Sequence, residues 1–206
     1  MIAAVPERAD PRDALVGSTL AGLAAGATVA TGSARRRTQL ASIRPDLTFV
    51  GLRGNIETRL AAAADVGAVV VAAAALDRLD LGHRADERLD PSVMLPQVGQ
   101  GALAVECRVD DRDTIERLAV IEHRASRICV DAERAFLAEL GGDCDLPAGA
   151  YATVVGDGVE LVGLLASPAG HIVLRERQVG AEPDALGRGI ARHLLDDAGG
   201  AALFAV

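Results

Sequence analysis

Three successive strand-like runs of this chain hand over to helix-like ones, and each handover carries arginine. All 21 basic side chains of the 206 residues are arginine, with no lysine. In Thr31-Gly-Ser-Ala-Arg-Arg-Arg37 the free N–H groups of an opening helix, the hydroxyls of Thr31 and Ser33, and the guanidinium forks of Arg35 and Arg36 converge, which makes an anion site. Arg53 and Arg59 fall at the next junction, in Leu52-Arg-Gly-Asn-Ile-Glu-Thr-Arg-Leu60, and Arg78 follows the third. Permanently charged, forked donors in series suit a ligand that bears several carboxylates. For each arginine taken alone, the alternative is a solvated helix-face charge paired with Glu57, Asp65 or Asp77. Arg37 and Arg44 are read as ordinary surface charges.

The other reactive candidate is Cys144, in Leu140-Gly-Gly-Asp-Cys-Asp-Leu-Pro147. Gly141, Gly142 and Pro147 predict a turn around it. A thiolate there is a soft nucleophile able to carry a stable thioether; the alternative is a small buried hydrophobe. Cys107, Cys129 and Cys144 form no CxxC pair and have no metal-type spacing with the four histidines, so neither a disulfide framework nor a metal site is expected. A reducing, cytoplasmic setting fits this cysteine usage.

The elements that must position these groups follow from the apolar pattern. Ala27–Thr31, Leu47–Gly51 and the continuously apolar Ala68–Ala72 read as strands. Helices are expected over Ser33–Ile43, from an N-cap at Asn55 through Ala64, and near Leu76. Alternating strands and helices with fully apolar strands predict a mostly parallel sheet covered on both faces, whose strand C-termini line one crevice. The polar stretch 83–91 reads as a connection or hinge. Gly101–Cys107 reads as a strand, and Thr114–Leu140 as one or two helices. In the tail, Ala150–Val155, Val159–Ala166 and His171–Val179 are separated by Gly156-Asp-Gly158 and Ser167-Pro-Ala-Gly170, which predicts an antiparallel three-stranded meander with helix Glu182–Leu195 packed on it.

Composition narrows the function. A net charge of −8 and four aromatic residues argue against a nucleic-acid surface built on basic patches and stacking. The longest apolar run, Ala68–Leu76, is too short to span a bilayer, and the first residues lack a signal-peptide pattern. Without lysine there is no Schiff base, no Walker-type phosphate loop and no lysine general base within these residues.

Read in order, Asp10-Pro-Arg-Asp13, Thr31-Gly-Ser-Ala-Arg-Arg36, Arg44-Pro-Asp-Leu47, Leu52-Arg-Gly-Asn55, Ala74-Ala-Leu-Asp-Arg-Leu79, Leu95-Pro-Gln-Val-Gly-Gln-Gly-Ala102, Ala132-Glu-Arg134 and Cys144-Asp-Leu-Pro147 resemble the hydroxymethylbilane synthase (porphobilinogen deaminase) family. The resemblance implies an enzyme of tetrapyrrole biosynthesis that deaminates four porphobilinogen units and joins them on a cysteine-linked dipyrromethane cofactor. It makes Cys144 the covalent anchor. Thr31, Ser33, Arg35, Arg36 and Arg59 would hold cofactor carboxylates, and Arg53, Arg78 and Gln100 would meet the incoming substrate. The implied architecture is a periplasmic-binding-protein-like, mostly parallel α/β domain over 12–95, followed by a small α+β domain over 118–206 that carries Cys144. Residues 1–11 and 96–117 would belong to the family's first domain.

The resemblance also implies that the family's catalytic aspartate, in a Ser-Met-Lys-Asp stretch, precedes Met1, so no catalytic residue is assigned here. Asp10 and Asp13 read as ordinary junction residues. Porphobilinogen and linear pyrrole intermediates are the implied partners, with a monomer expected for the complete enzyme. The alternatives are a non-catalytic polycarboxylate-binding remnant, or a subunit that needs a separate first-domain partner over exposed apolar surface near Gly99–Val109.

Overall fold

The computed structural model describes residues 1–141 and 146–203. Its strands are β1 (Ile2–Ala4), β2 (Asp13–Val16), β3 (Thr28–Ala30), β4 (Thr48–Val50), β5 (Ala68–Ala72), β6 (Glu87–Leu89), β7 (Val105–Glu106), β8 (Ala148–Val155), β9 (Gly158–Ala166) and β10 (Val173–Gly180). The helices are α1 (Ala34–Ile43), α2 (Ile56–Ala61), α3 (Ala73–Asp77), α4 (Arg112–Leu118), α5 (Arg124–Leu140) and α6 (Pro183–Arg192).

A five-stranded sheet runs in the order β4-β3-β5-β2-β6. The strands β4, β3 and β5 are mutually parallel, as the alternation with helices implies, whereas β2 is antiparallel to both β5 and β6. Side chains leave the sheet alternately on its two faces. Leu15, Val29, Val70 and Leu89 pack with Leu40 and Met94 on one face; Ala14, Val16, Ala30, Val69 and Val71 pack with Leu60 and Leu76 on the other. Burial on both faces is why Ala68–Ala72 is apolar throughout.

Two of these strands escape the sequence pattern. β2 opens on a charged residue, yet all four of its positions are buried. β6 lies within the stretch that composition marks as a connection. It is an edge strand whose outer groups are charged, which discourages pairing with another chain. The expected strand over Gly101–Cys107 contracts to the two residues of β7, paired with β1, and Leu103 and Val109 are exposed nearby. On α1, Leu40 is buried and Ile43 is exposed.

The tail forms the antiparallel meander β10-β9-β8. One face of it packs on α5 and α6 through Phe136, Leu161, Leu165, Leu186 and Ile190. The two helices cross at Gly187, where a Cβ atom would overlap the Ala132 carbonyl. Against the other face, Leu95 meets Leu164, Ala166, Tyr151 and Val162, and this joins the meander to the five-stranded unit.

Candidate functional site

Parallel strands end at one edge of a sheet, and here β3, β4 and β5 end beside one another. The antiparallel β2 begins at that edge, because Asp13 pairs in register with Ala72 at the end of β5. A strand running the opposite way therefore brings a carboxylate to the place where the arginines collect. Ser33 caps α1 by accepting from the Arg36 N–H at 3.4 Å, and Thr31 Oγ1 accepts from the Ser33 N–H at 3.2 Å. Each hydroxyl keeps its own hydrogen to donate to an anion.

Starting α1 at Ala34 turns Arg35 and Arg36 inward, to 2% and 9% exposure. Both pair with the fully buried Asp13: Arg35 Nη1 lies 2.8 Å from Oδ2 and Arg36 Nη2 lies 2.8 Å from Oδ1. Arg35 also donates to the Leu95 carbonyl at 2.6 Å, and Arg36 to the Val70 carbonyl at 3.1 Å. Asp13 is therefore the counter-charge around which the site is built, which corrects its reading as a junction residue. Glu57, Asp65 and Asp77 do not serve these two arginines. Asp10 is likewise engaged, by Arg12 and by Arg88, which also reaches Asp77.

Burial alone would raise the pKa of Asp13, but the attraction of Arg35, then of Arg36, holds its carboxyl below the ordinary value. One carboxylate facing two guanidiniums leaves a net positive charge at the floor of the site. Arg35 Nε is also buried with no hydrogen-bond partner among the described residues. An unpaired buried donor carries a desolvation cost.

Above this floor lies a crevice of about 450 Å³ lined by Gly32, Ser33, Arg35, Arg36, Leu52, Arg53, Arg59, Gln97 and Gln100. Arg59 is steadied by donating to the Gly54 carbonyl at 2.9 Å. The Arg53 guanidinium has no hydrogen bond to any described residue. Thr31 lies next door, lining an adjoining cavity with Ser33, Arg37 and Arg53. Six of the residues expected at the site thus share one crevice: Ser33, Arg35, Arg36, Arg53, Arg59 and Gln100. Arg78 does not line it. Carried past the end of α3, Arg78 is exposed and donates to the Gly101 carbonyl at 2.8 Å. Cys144 lies outside the described residues.

Gln100, in the crevice lining, is also engaged by protein groups. Its Nε2 donates to the Pro11 carbonyl at 2.6 Å and to Asp13 Oδ1 at 3.0 Å, while Oε1 faces Arg35 Nη2 at 3.5 Å, so the amide holds the floor in place. Its backbone carbonyl accepts from Arg8 Nε at 2.9 Å, and Arg8 pairs with Glu133 of α5. Glu133, fully buried, also accepts from the N–H groups of Gly99 and Ala152. A continuous polar path therefore runs from α5 through Glu133, Arg8, Gln100 and Asp13 to the two arginines. Arg8 and Glu133 were not anticipated. The signal available was Glu133, a charged residue amid the apolar positions of a helix.

Residues 1–116 match the family model described as porphobilinogen deaminase, dipyromethane cofactor binding domain, and residues 127–196 match its C-terminal domain. A porphobilinogen deaminase of Roseiflexus sp. is 47% identical over 208 residues, covering 98% of this chain and 69% of the relative. One from Shouchella clausii is 48% identical over 209 residues, covering 98% of this chain and 67% of the relative. An arginine-lined crevice, floored by a buried aspartate and matched along nearly all of the chain to these relatives, places the protein in the porphobilinogen deaminase family.

Proposed function

We propose that this chain binds the dipyrromethane cofactor and porphobilinogen in the arginine crevice, as a hydroxymethylbilane synthase that joins four porphobilinogen units head to tail. The observation that supports the reading most directly is one crevice lined by Ser33, Arg35, Arg36, Arg53 and Arg59, in which the Arg53 guanidinium is hydrogen-bonded to no described residue. Ser33, Arg35, Arg36 and Arg59 hold cofactor carboxylates, with Thr31 at the margin. Arg53 takes the acidic side chains of the incoming unit. Arg78 and Gln100 act through the loop and floor that they hold, since both donate to protein groups. When bound through Cys144, the dipyrromethane supplies the pyrrole terminus that is extended.

The chain's own residues bind, orient and neutralise. Each added unit brings two more carboxylates, and guanidiniums stay charged at every stage, so one clamp serves all intermediates. Cysteine usage without a CxxC pair fits a reducing cytoplasmic setting. Among the described residues no helix is long and apolar enough to cross a membrane.

A specific observation favours a second reading. Among the described residues the crevice lining contains no carboxylate, since Asp13 is sealed beneath it by Arg35 and Arg36. General acid–base chemistry on the pyrrole would then come from elsewhere, and this chain would act as a cofactor-holding unit with a separate first-domain partner. Incubation with porphobilinogen followed by intact-mass measurement tests the main reading. The expected result is an added dipyrromethane mass on the peptide containing Cys144, absent in Cys144→Ser, with porphobilinogen consumed. An adduct without consumption favours the cofactor-holding unit, and a bare thiol in the unaltered chain contradicts both.

A further inference from the structure

Gln39 is buried and uncharged and is not among the described residues that line the crevice, yet it holds a peptide group on which the crevice depends. It stands one turn beyond Arg35 on the same face of α1. Its Oε1 accepts from the Leu95 N–H at 2.8 Å, and its Nε2 donates to the Leu95 carbonyl at 3.1 Å. Nε2 also lies 3.3 Å from the Arg35 carbonyl of its own helix. A peptide N–H can only donate and its carbonyl can only accept, so this closed pair of bonds gives the Gln39 amide a single orientation. It also keeps the Leu95 backbone from turning.

A carbonyl oxygen has two lone pairs, and Arg35 Nη1 takes the second one of Leu95 at 2.6 Å. The same Nη1 lies 2.8 Å from Asp13 Oδ2, so the guanidinium is set between a carboxylate and a neutral carbonyl. Asp13 balances charge and is shared with Arg36, whereas the carbonyl fixes direction. Leu95 lies in no strand or helix, so no ladder holds its backbone. Its side chain packs on Leu164 and Ala166, and Gly149 of β8 comes so close that a Cβ there would lie 3.1 Å from both the Leu95 oxygen and Arg35 Cδ. The meander and α1 thus meet at Leu95, and Gln39 is the side chain that orients it. Beyond Leu95 the chain carries Gln97 and Gln100 into the crevice.

We propose that Gln39 is a positioning residue for the Arg35 cation, acting through the Leu95 carbonyl. Its effect on ligand binding rests on the crevice reading given above; its effect on Arg35 rests on the geometry alone. With a side chain of similar size but no amide, the Leu95 N–H is left buried and unpaired, and the backbone turns to find another partner. Arg35 then loses the acceptor that keeps it from settling wholly on Asp13, and the floor offers less of its positive charge to a carboxylate above it.

Isotope-edited NMR of the full chain tests the geometric part without a ligand. In the unaltered chain the Arg35 Nη hydrogens should give separate, slowly exchanging signals. Gln39→Leu should merge or remove them while the signals of Arg8, paired with Glu133, persist. Calorimetric titration of a linear tripyrrole polycarboxylate into Cys144→Ser tests the consequence. Gln39→Leu should weaken binding about fivefold there, about fivefold again alongside Arg59→Gln, and less than about twofold alongside Arg35→Met. A merely structural role would give the same loss in every background. Should circular dichroism show Gln39→Leu to be unfolded, Gln39→Asn, one methylene short of the Leu95 backbone, carries the same expectations. In the unaltered chain the Leu95 amide should exchange with deuterium only through global unfolding. Unchanged Arg35 signals in the folded variant, an equal loss alongside Arg35→Met, or fast exchange at Leu95 would each overturn the proposal. Full binding in Arg35→Met alone contradicts the crevice reading, and the Arg35 signals then decide the role of Gln39.

Discussion

Asp13 decides the character of the site at the scale of single residues. Removing its charge leaves Arg35 and Arg36 buried against each other, and breaking a buried ion pair from one side costs about 3–5 kcal/mol. Asp13→Asn should lose that much stability in urea denaturation near neutral pH. The folded-state pKa of Asp13 lies below its unfolded value of about 3.9, so its stabilisation is complete above that value and is lost as pH falls through the folded pKa. Acid should therefore destabilise the unaltered chain more steeply than Asp13→Asn; equal slopes would show that the aspartate is not held ionised by the arginines. Cys129 gives a second residue-scale expectation. Burial, followed by repulsion from Glu133, pushes its thiol up to about 11, so at pH 8 only about one molecule in a thousand carries the thiolate. Thiol alkylation at that pH should modify the more accessible Cys107 well before Cys129, and comparable rates would contradict this burial.

Among the elements, those made by strong periodicity were legible in the sequence. The apolar Ala68–Ala72 run, the Asn55 cap and the meander's Gly-Asp-Gly and Ser-Pro-Ala-Gly turns mark their elements because each acts through local chemistry. β2 and β6 were not legible. A four-residue strand that begins with aspartate and a three-residue edge strand rich in charge are defined by their neighbours in the sheet, and no local pattern carries that information. The crevice shows the same division. That arginines gather at strand ends followed from parallel topology, whereas the burial of Arg35 and Arg36 on Asp13 depends on one antiparallel strand. Arg78 lies outside the crevice lining for the related reason that α3 carries it past the strand end. Helix packing supplies a test at this scale: Gly187→Ala forces α5 and α6 apart at the Ala132 carbonyl and should cost about 1–3 kcal/mol in denaturant unfolding. Unchanged stability would mean that the helices have room there.

For the molecule as a whole, a buried polar path joins α5 to the crevice floor, so that helix and the arginines are placed relative to one another by Glu133, Arg8 and Gln100. The central claim is that these constraints assemble a carboxylate clamp from Arg53 and Arg59 above the paired Arg35 and Arg36, with Arg78 outside it. Calorimetric titration of a non-covalent linear tripyrrole polycarboxylate, long enough to reach from the cofactor's place to that of the incoming unit, into Cys144→Ser tests this most directly. Against that background, Arg53→Gln and Arg59→Gln should each weaken binding by about 1.5–3 kcal/mol, the worth of a charged hydrogen bond, while Arg78→Gln leaves it nearly unchanged. Equal losses at all three positions, or no loss at Arg53 and Arg59, would contradict it.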